Sequence, residues 1–111
     1  MSLADLLRKE ASQMAATLKR GLTGVIDEKK QLEQSPPQSW HAERLAFLAK
    51  EEHAGLNGPA RLAAYRPDQT PHPDCPYCWM LEGRHMPLMP DLGAPGTVAC
   101  PHCGGRYIEW L

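Results

Sequence analysis

The chain has no excess of either charge, with 12 Lys and Arg against 13 Asp and Glu, a net −1. It therefore carries no polybasic signature for nucleic acid or an anionic membrane, and any such contact would have to be local. It also lacks a long apolar run. The longest stretch free of Asp, Glu, Lys and Arg is Leu92 to Gly105, 14 residues broken by Pro and Gly, whereas a spanning helix needs about 18 or more apolar residues. The segment Met1 to Glu10 is charged and has no apolar centre of the kind an export signal needs, so the expectation is a protein of the reducing cytoplasm. At 111 residues the chain is too short for an ordinary multi-domain enzyme. It has no Ser/His/Asp pairing, no glycine-rich phosphate loop, and no carboxylate pair at helical spacing beyond the solvated Glu51 and Glu52. No enzyme is expected. With 42% hydrophobic and 23% charged residues, the chain is nonetheless expected to fold.

Proline is absent from residues 1–34 and dense at the other end. Eight of the 11 Pro and five of the 9 Gly lie in residues 67–111, which excludes long helices there. That tail holds 2 basic and 5 acidic residues, while residues 1–34 hold 6 and 5 and residues 35–66 hold 4 and 3. The fold class expected is α+β: a helical region over 1–66, with helices at about 2–33, 40–54 and 59–65, and a small antiparallel β module over 67–111.

In the first helix Ser2 is the expected N-cap, and Asp5 sits in the first turn where negative charge is favoured. Leu7, Ala11, Met14, Leu18, Val25 and Leu32 recur near a 3.5-residue spacing, with Leu3, Leu22 and Ile26 beside them. Gly21 and Gly24, one turn apart, predict a kink or break. The stripe is expected to pack against a helix of the same chain, and a homodimer through this helix is its alternative use. The turn Ser35-Pro36-Pro37-Gln38 permits an antiparallel return. Ser39 is expected to cap the second helix, with Trp40, Leu45, Phe47 and Leu48 facing inward and Gly55 ending it. Asn57-Gly58-Pro59 is expected to start a short third helix that ends at Arg66-Pro67. Helix–turn–helix is also an outline that reads DNA, with Arg61 and Arg66 able to touch phosphate, although a helix of two turns carries few side chains for base edges.

The strongest chemical signal is Cys75, Cys78, Cys100 and Cys103, two C-x2-C pairs with no Cys left over. Two residues between thiolates let one tight turn present both sulfurs to an ion, and two such turns complete the tetrahedral shell that Zn2+ prefers. Pro76 and Pro101 set the backbone after the first Cys of each pair, and Gly104 after the second pair permits positive φ. Paired disulfides fit the spacing but not a reducing compartment. A redox C-x-x-C would leave the second pair unexplained. Iron fits the same four sulfurs, and only the setting favours zinc.

The second pair, Cys100-Pro101-His102-Cys103-Gly104, resembles the C-P-x-C-G knuckle of the zinc ribbon family; the first pair departs from it with Trp79 in place of Gly. Over residues 72–111 the resemblance implies strands near Trp79–Glu82, Thr97–Ala99 and Arg106–Leu111 and one structural Zn2+ on the four cysteines. His72 and His102 stand close enough in sequence to join a mixed site, but a full Cys quartet leaves no vacancy, and His41, His53 and His85 are scattered. Ordering the 45 residues of the tail costs on the order of 1–2 kcal/mol each, more than so few large apolar groups offset. Zinc supplies roughly 10–16 kcal/mol in small modules of this kind, so the tail is expected to fold only with metal.

The tail is −3 with neutral thiols, and zinc on four thiolates brings it to about −5, with only Arg84 and Arg106 to meet phosphate. Protein contact is therefore the favoured use. Trp79, Met80, Met86, Met89, Tyr107 and Trp110 are residue types enriched at interfaces, and about half of them are expected to cover the small ribbon core instead. The expectation is a non-enzymatic zinc-binding adaptor or regulatory protein acting through protein partners. The alternative is a nucleic-acid-binding regulator that uses the helices at 40–66 with the ribbon as brace.

Overall fold

Ser2 does cap the first helix, its Oγ accepting the Asp5 N–H at 3.2 Å. In the computed structural model, which describes residues 2–108, that helix, α1, runs unbroken from Leu3 to Gln34. The expected break at Gly21 and Gly24 does not occur. Neither glycine has a neighbour within 4 Å of where a Cβ would sit, so nothing pulls the helix apart and the main-chain ladder carries it through. At 1.5 Å per residue, α1 accounts for about 48 Å of the 53 Å long axis.

After the Pro36-Pro37 turn the chain returns antiparallel as α2, His41–Ala64. Ser39 makes no cap here; Trp40 occupies that position without a side-chain hydrogen bond. The larger correction is that the expected helices at 40–54 and 59–65 are one helix. Gly55 does not end the first of them, and Pro59 lies inside the continuous helix. The cause is tertiary. A Cβ at Gly55 would lie 3.0 Å from Leu22 Cδ1 and 3.2 Å from the Leu18 carbonyl oxygen, and one at Gly58 would lie 3.8 Å from Ala15 Cβ. These glycines let α2 press against α1, and the missing Pro59 N–H costs one rung opposite Gly55, where no side chain crowds the ring.

Two substitutions separate these roles. Gly55→Val, which crowds a backbone oxygen that cannot rotate away, is expected to destabilise the chain by about 1–3 kcal/mol. Gly21→Ala, in open space on a helix, should stabilise it by about 0.5–1 kcal/mol. Urea titration of both variants checks the pair.

The inward face of α2 follows a seven-residue step, His41, Leu48, Gly55 and Leu62, of which the first three are buried and Leu62 packs against the core. Phe47, a neighbour of Leu48, is turned away by the helical twist and stands 42% exposed, and Trp40 is 51% exposed. Both were expected inside.

A 3-10 turn at Pro67–Gln69 leads to a third helix, α3, at Pro76–Glu82. The zinc ribbon resemblance implied a strand at Trp79–Glu82, and the departure at Trp79 explains the difference. Pro76 takes the first helical position, and the Trp79 N–H bonds the Cys75 carbonyl at 3.0 Å. Helix thus propagates where Gly would have turned the chain, and Gly83, at φ +64°, ends it. Three short strands follow: β1 (Met89–Pro90), β2 (Thr97–Ala99) and β3 (Arg106–Ile108), antiparallel in the order β1-β2-β3. Met89 pairs with Ala99, Ala99 with Arg106, and Thr97 with Ile108. β2 matches its expected place; the part of the last expected strand after Ile108, with Trp110, lies outside the described residues. The class is α+β.

One buried cluster draws on both ends of the chain. Leu7 and Ala11 of α1 meet Tyr65, Cys75, Cys78, Met80, Leu88 and Cys100. Arg61 and Trp79 bind α2 to α3 reciprocally: the Arg61 guanidinium donates to the Met80 and Leu81 carbonyls at 2.9 and 3.2 Å, and Trp79 Nε1 donates to the Arg61 carbonyl at 2.8 Å. Among the described residues no helix is long and apolar enough to cross a membrane.

Candidate metal centre

Each cysteine pair is presented by a different backbone device. Cys75 is the N-cap of α3 and Cys78 lies in its first turn, so the helical rise brings both sulfurs to one end. Cys100 follows β2, and the chain folds back at once: the Gly104 N–H bonds the Cys100 carbonyl at 3.0 Å and the Cys100 N–H bonds the Gly105 carbonyl at 2.9 Å. Gly104 adopts φ +78°, the conformation its place in the motif predicted. Main-chain N–H groups then turn toward sulfur, Cys103 N to Cys100 Sγ at 3.5 Å and Gly105 N to Cys103 Sγ at 3.4 Å.

The four sulfurs converge, all lying within 4.8 Å of one another. Cys75 Sγ is 3.6 Å from Cys103 Sγ, and Cys78 Sγ is 3.7 Å from Cys100 Sγ. A tetrahedron with metal–sulfur bonds of about 2.3 Å has edges of about 3.8 Å, close to these separations. A disulfide would require about 2.05 Å, so the spacing is that of ligands and not of covalent pairs. Cys75, Cys78 and Cys100 are buried and Cys103 is exposed. Neither His72 nor His102 belongs to the group; His72 is exposed and His102 Nε2 lies 3.3 Å from the Arg84 guanidinium. The arrangement is consistent with a zinc site.

Burial sets the proton chemistry of this site. It pushes the Cys75 thiol up to about 11, and it raises Cys78 as well, with the hydrogen bond to Cys100 adding to the effect. At Cys100 burial acts in the same direction but is outweighed by main-chain N–H donors from Cys103 and His102, which leave that thiol below its ordinary value. Without metal, Cys75 and Cys78 therefore hold their protons at neutral pH. An incoming ion must displace those protons, so acid opposes binding and base favours it. Competition against a chromogenic chelator between about pH 6 and pH 8 is expected to show affinity rising steadily with pH.

Several supporting residues had no sequence motif. Tyr107 packs against the cluster from β3, and its phenol is pushed up by burial and then by charge on Cys75, so it stays a neutral O–H beside the sulfurs. The Tyr65 hydroxyl donates to the Asp74 carbonyl at 2.6 Å, fixing the chain just before the first ligand. Glu82 accepts from Lys50 Nζ at 2.8 Å, which ties α3 to α2 and holds the carboxyl below its ordinary value. Only the half-buried strand alternation at Tyr107 hinted at any of these.

Of the Met and aromatic residues divided between interface and core, most face inward. Met80 is fully buried, and Trp79, Met86 and Tyr107 pack against the core; Met89 alone of the described five is exposed. No protein family, curated protein or solved structure matches the chain.

Proposed function

We propose that the chain is a non-enzymatic zinc protein of the cytoplasm, an adaptor or regulator acting through protein contacts, with one Zn2+ on Cys75, Cys78, Cys100 and Cys103. The observation that carries this reading is that three of the four sulfurs belong to the same buried cluster as Leu7 and Ala11 of α1. Four thiolates close a tetrahedral shell and leave no position for substrate, so the ion's role is to hold the fold. Among the described residues the four cysteines are the group suited to an ion.

The nucleic-acid alternative relied on Arg61 and Arg66. Arg61 is committed to the Met80 and Leu81 carbonyls, and Arg66 donates to the carbonyls of Ala63 and Tyr65. Both guanidiniums would have to leave backbone partners to reach phosphate, which favours protein contact over nucleic acid. The homodimer reading is disfavoured on similar grounds, since Leu7 and Ala11 of the α1 stripe lie in the buried cysteine cluster and Leu22 beside it meets α2 at Gly55.

Fluorescence anisotropy of the metal-loaded chain with labelled duplex and single-stranded DNA, at about 50 mM salt where phosphate contacts are strongest, tests the reading. No saturable binding is expected. Saturable binding that falls steeply with added salt would overturn it in favour of the alternative.

A further inference from the structure

An apolar recess lies between the two long helices. On α1, Glu10, Gln13, Met14, Thr17 and Leu18 follow the i, i+3, i+4, i+7, i+8 pattern of one helix face. Phe47 and Glu51 form the facing wall on α2, and Pro76, Tyr77, Leu81 and Tyr107 form the floor. The recess has a volume of about 420 Å3 and runs along about two turns of α1.

Two features give it an occupant. Met14 and Leu18 are only half-covered, while Phe47 and Tyr77 stand 42% and 44% exposed at its sides, so aromatic and aliphatic surface is left open together. The charged residues lining it are Glu10 on one wall and Glu51 on the other; no cation lines it, and neither carboxylate is in an ion pair among the described residues. An apolar trough between two unpaired acids is complementary to apolar anchors flanked by positive charge.

We propose that this groove is the partner-binding surface of the protein, and that its occupant is a short amphipathic segment of another protein carrying Lys or Arg on either side of its apolar face. The inference rests on the protein-contact reading above and gives it a place. The groove also depends on the metal centre. Pro76 and Tyr77 lie between the first two cysteines, and Tyr107 Oη would sit 3.4 Å from a Cβ on Gly105, in the second knuckle. The floor thus includes the first cysteine turn, and its Tyr107 packs on the second.

The test uses two fluorescein-labelled helical peptides, one of Leu and Lys and one of Leu and Glu at the same spacing, titrated into the metal-loaded chain. The Leu/Lys peptide is expected to bind saturably and to shift the amide resonances of Met14, Leu18 and Tyr77. The surface variant Glu10→Lys with Glu51→Lys should weaken that peptide by at least about tenfold and bind the Leu/Glu peptide instead. Absence of saturable binding by the Leu/Lys peptide would overturn the proposal. So would binding indifferent to the charge reversal, or resonance shifts confined to other surfaces. Those failures would leave the protein-contact reading standing at another site, whereas the DNA titration overturns that reading itself.

Discussion

Cys100→Ser is expected to abolish metal retention and to unfold the chain from about Pro73 onward. Cys100 is buried, and its sulfur is 3.7 Å from that of Cys78. Serine offers a poor ligand and an uncharged hydroxyl in an apolar cluster. Zinc in small modules supplies roughly 10–16 kcal/mol, as much as the whole net stability of an ordinary domain, roughly 5–15 kcal/mol. Among the described residues the three strands comprise eight residues in total, too few to compensate. Helix α3 has seven residues, below the length at which an isolated helix persists. Far-UV circular dichroism should therefore fall modestly, because α1 and α2 hold most of the helix. The near-UV signal should collapse as Trp79 and Tyr107 lose their packing, and trypsin should cut at Arg84 and Arg106. A variant that kept its near-UV spectrum and its resistance to trypsin would show that the sulfurs do not hold this half together.

Leu7→Ala is expected to cost about 2–5 kcal/mol and to weaken metal retention as well. Leu7 is fully buried among Tyr65, Cys75, Met80 and Leu88, although it lies near the opposite end of the sequence. Removing it opens a cavity against the residues that carry the ligands. The folded state that binds metal is then less favoured, and by linkage the apparent metal affinity falls with it. At roughly 4–8 °C per kcal/mol for a chain of this size, the thermal midpoint should drop by more than about 8 °C. Leu92→Ala, at a residue 96% exposed, is the control and should change neither quantity. Thermal unfolding and chelator competition on the two variants decide the matter. If Leu7→Ala lowered the midpoint but left metal retention unchanged, the helical hairpin and the cysteine module would be energetically separate.

Much of this arrangement was legible in local signals. The cysteine quartet needed only spacing, the α1 cap needed only Ser2 and Asp5, and the Pro-rich turn located the antiparallel return. The signals failed where packing between distant segments decides the outcome. Gly55 and Pro59 read locally as a stop and a start, yet the close approach of α1 makes the glycine an asset and holds the helix through the proline. Phe47 was misplaced because a stripe read from Leu45, Phe47 and Leu48 leaves the helical phase undetermined by one position. Trp79 marked the departure from the knuckle pattern but was read as opening a strand; it is the residue that lets helix replace strand. Arg61 stayed open as a phosphate contact because its actual partners, two carbonyls at the end of α3, have no sequence signature. The Met and aromatic residues divided between core and interface could not be sorted for a related reason, since a small core takes the same side chains that an interface does.

In the proposed function, four cysteines hold one structural zinc that folds the C-terminal half onto the helical hairpin. Elemental analysis of the purified chain by plasma mass spectrometry, with thiols counted before and after chelation, tests it most directly. One zinc per chain and four thiols that react only once the metal is removed are expected. Iron in place of zinc, or no metal with four freely reactive thiols in a chain that remains folded, would contradict it.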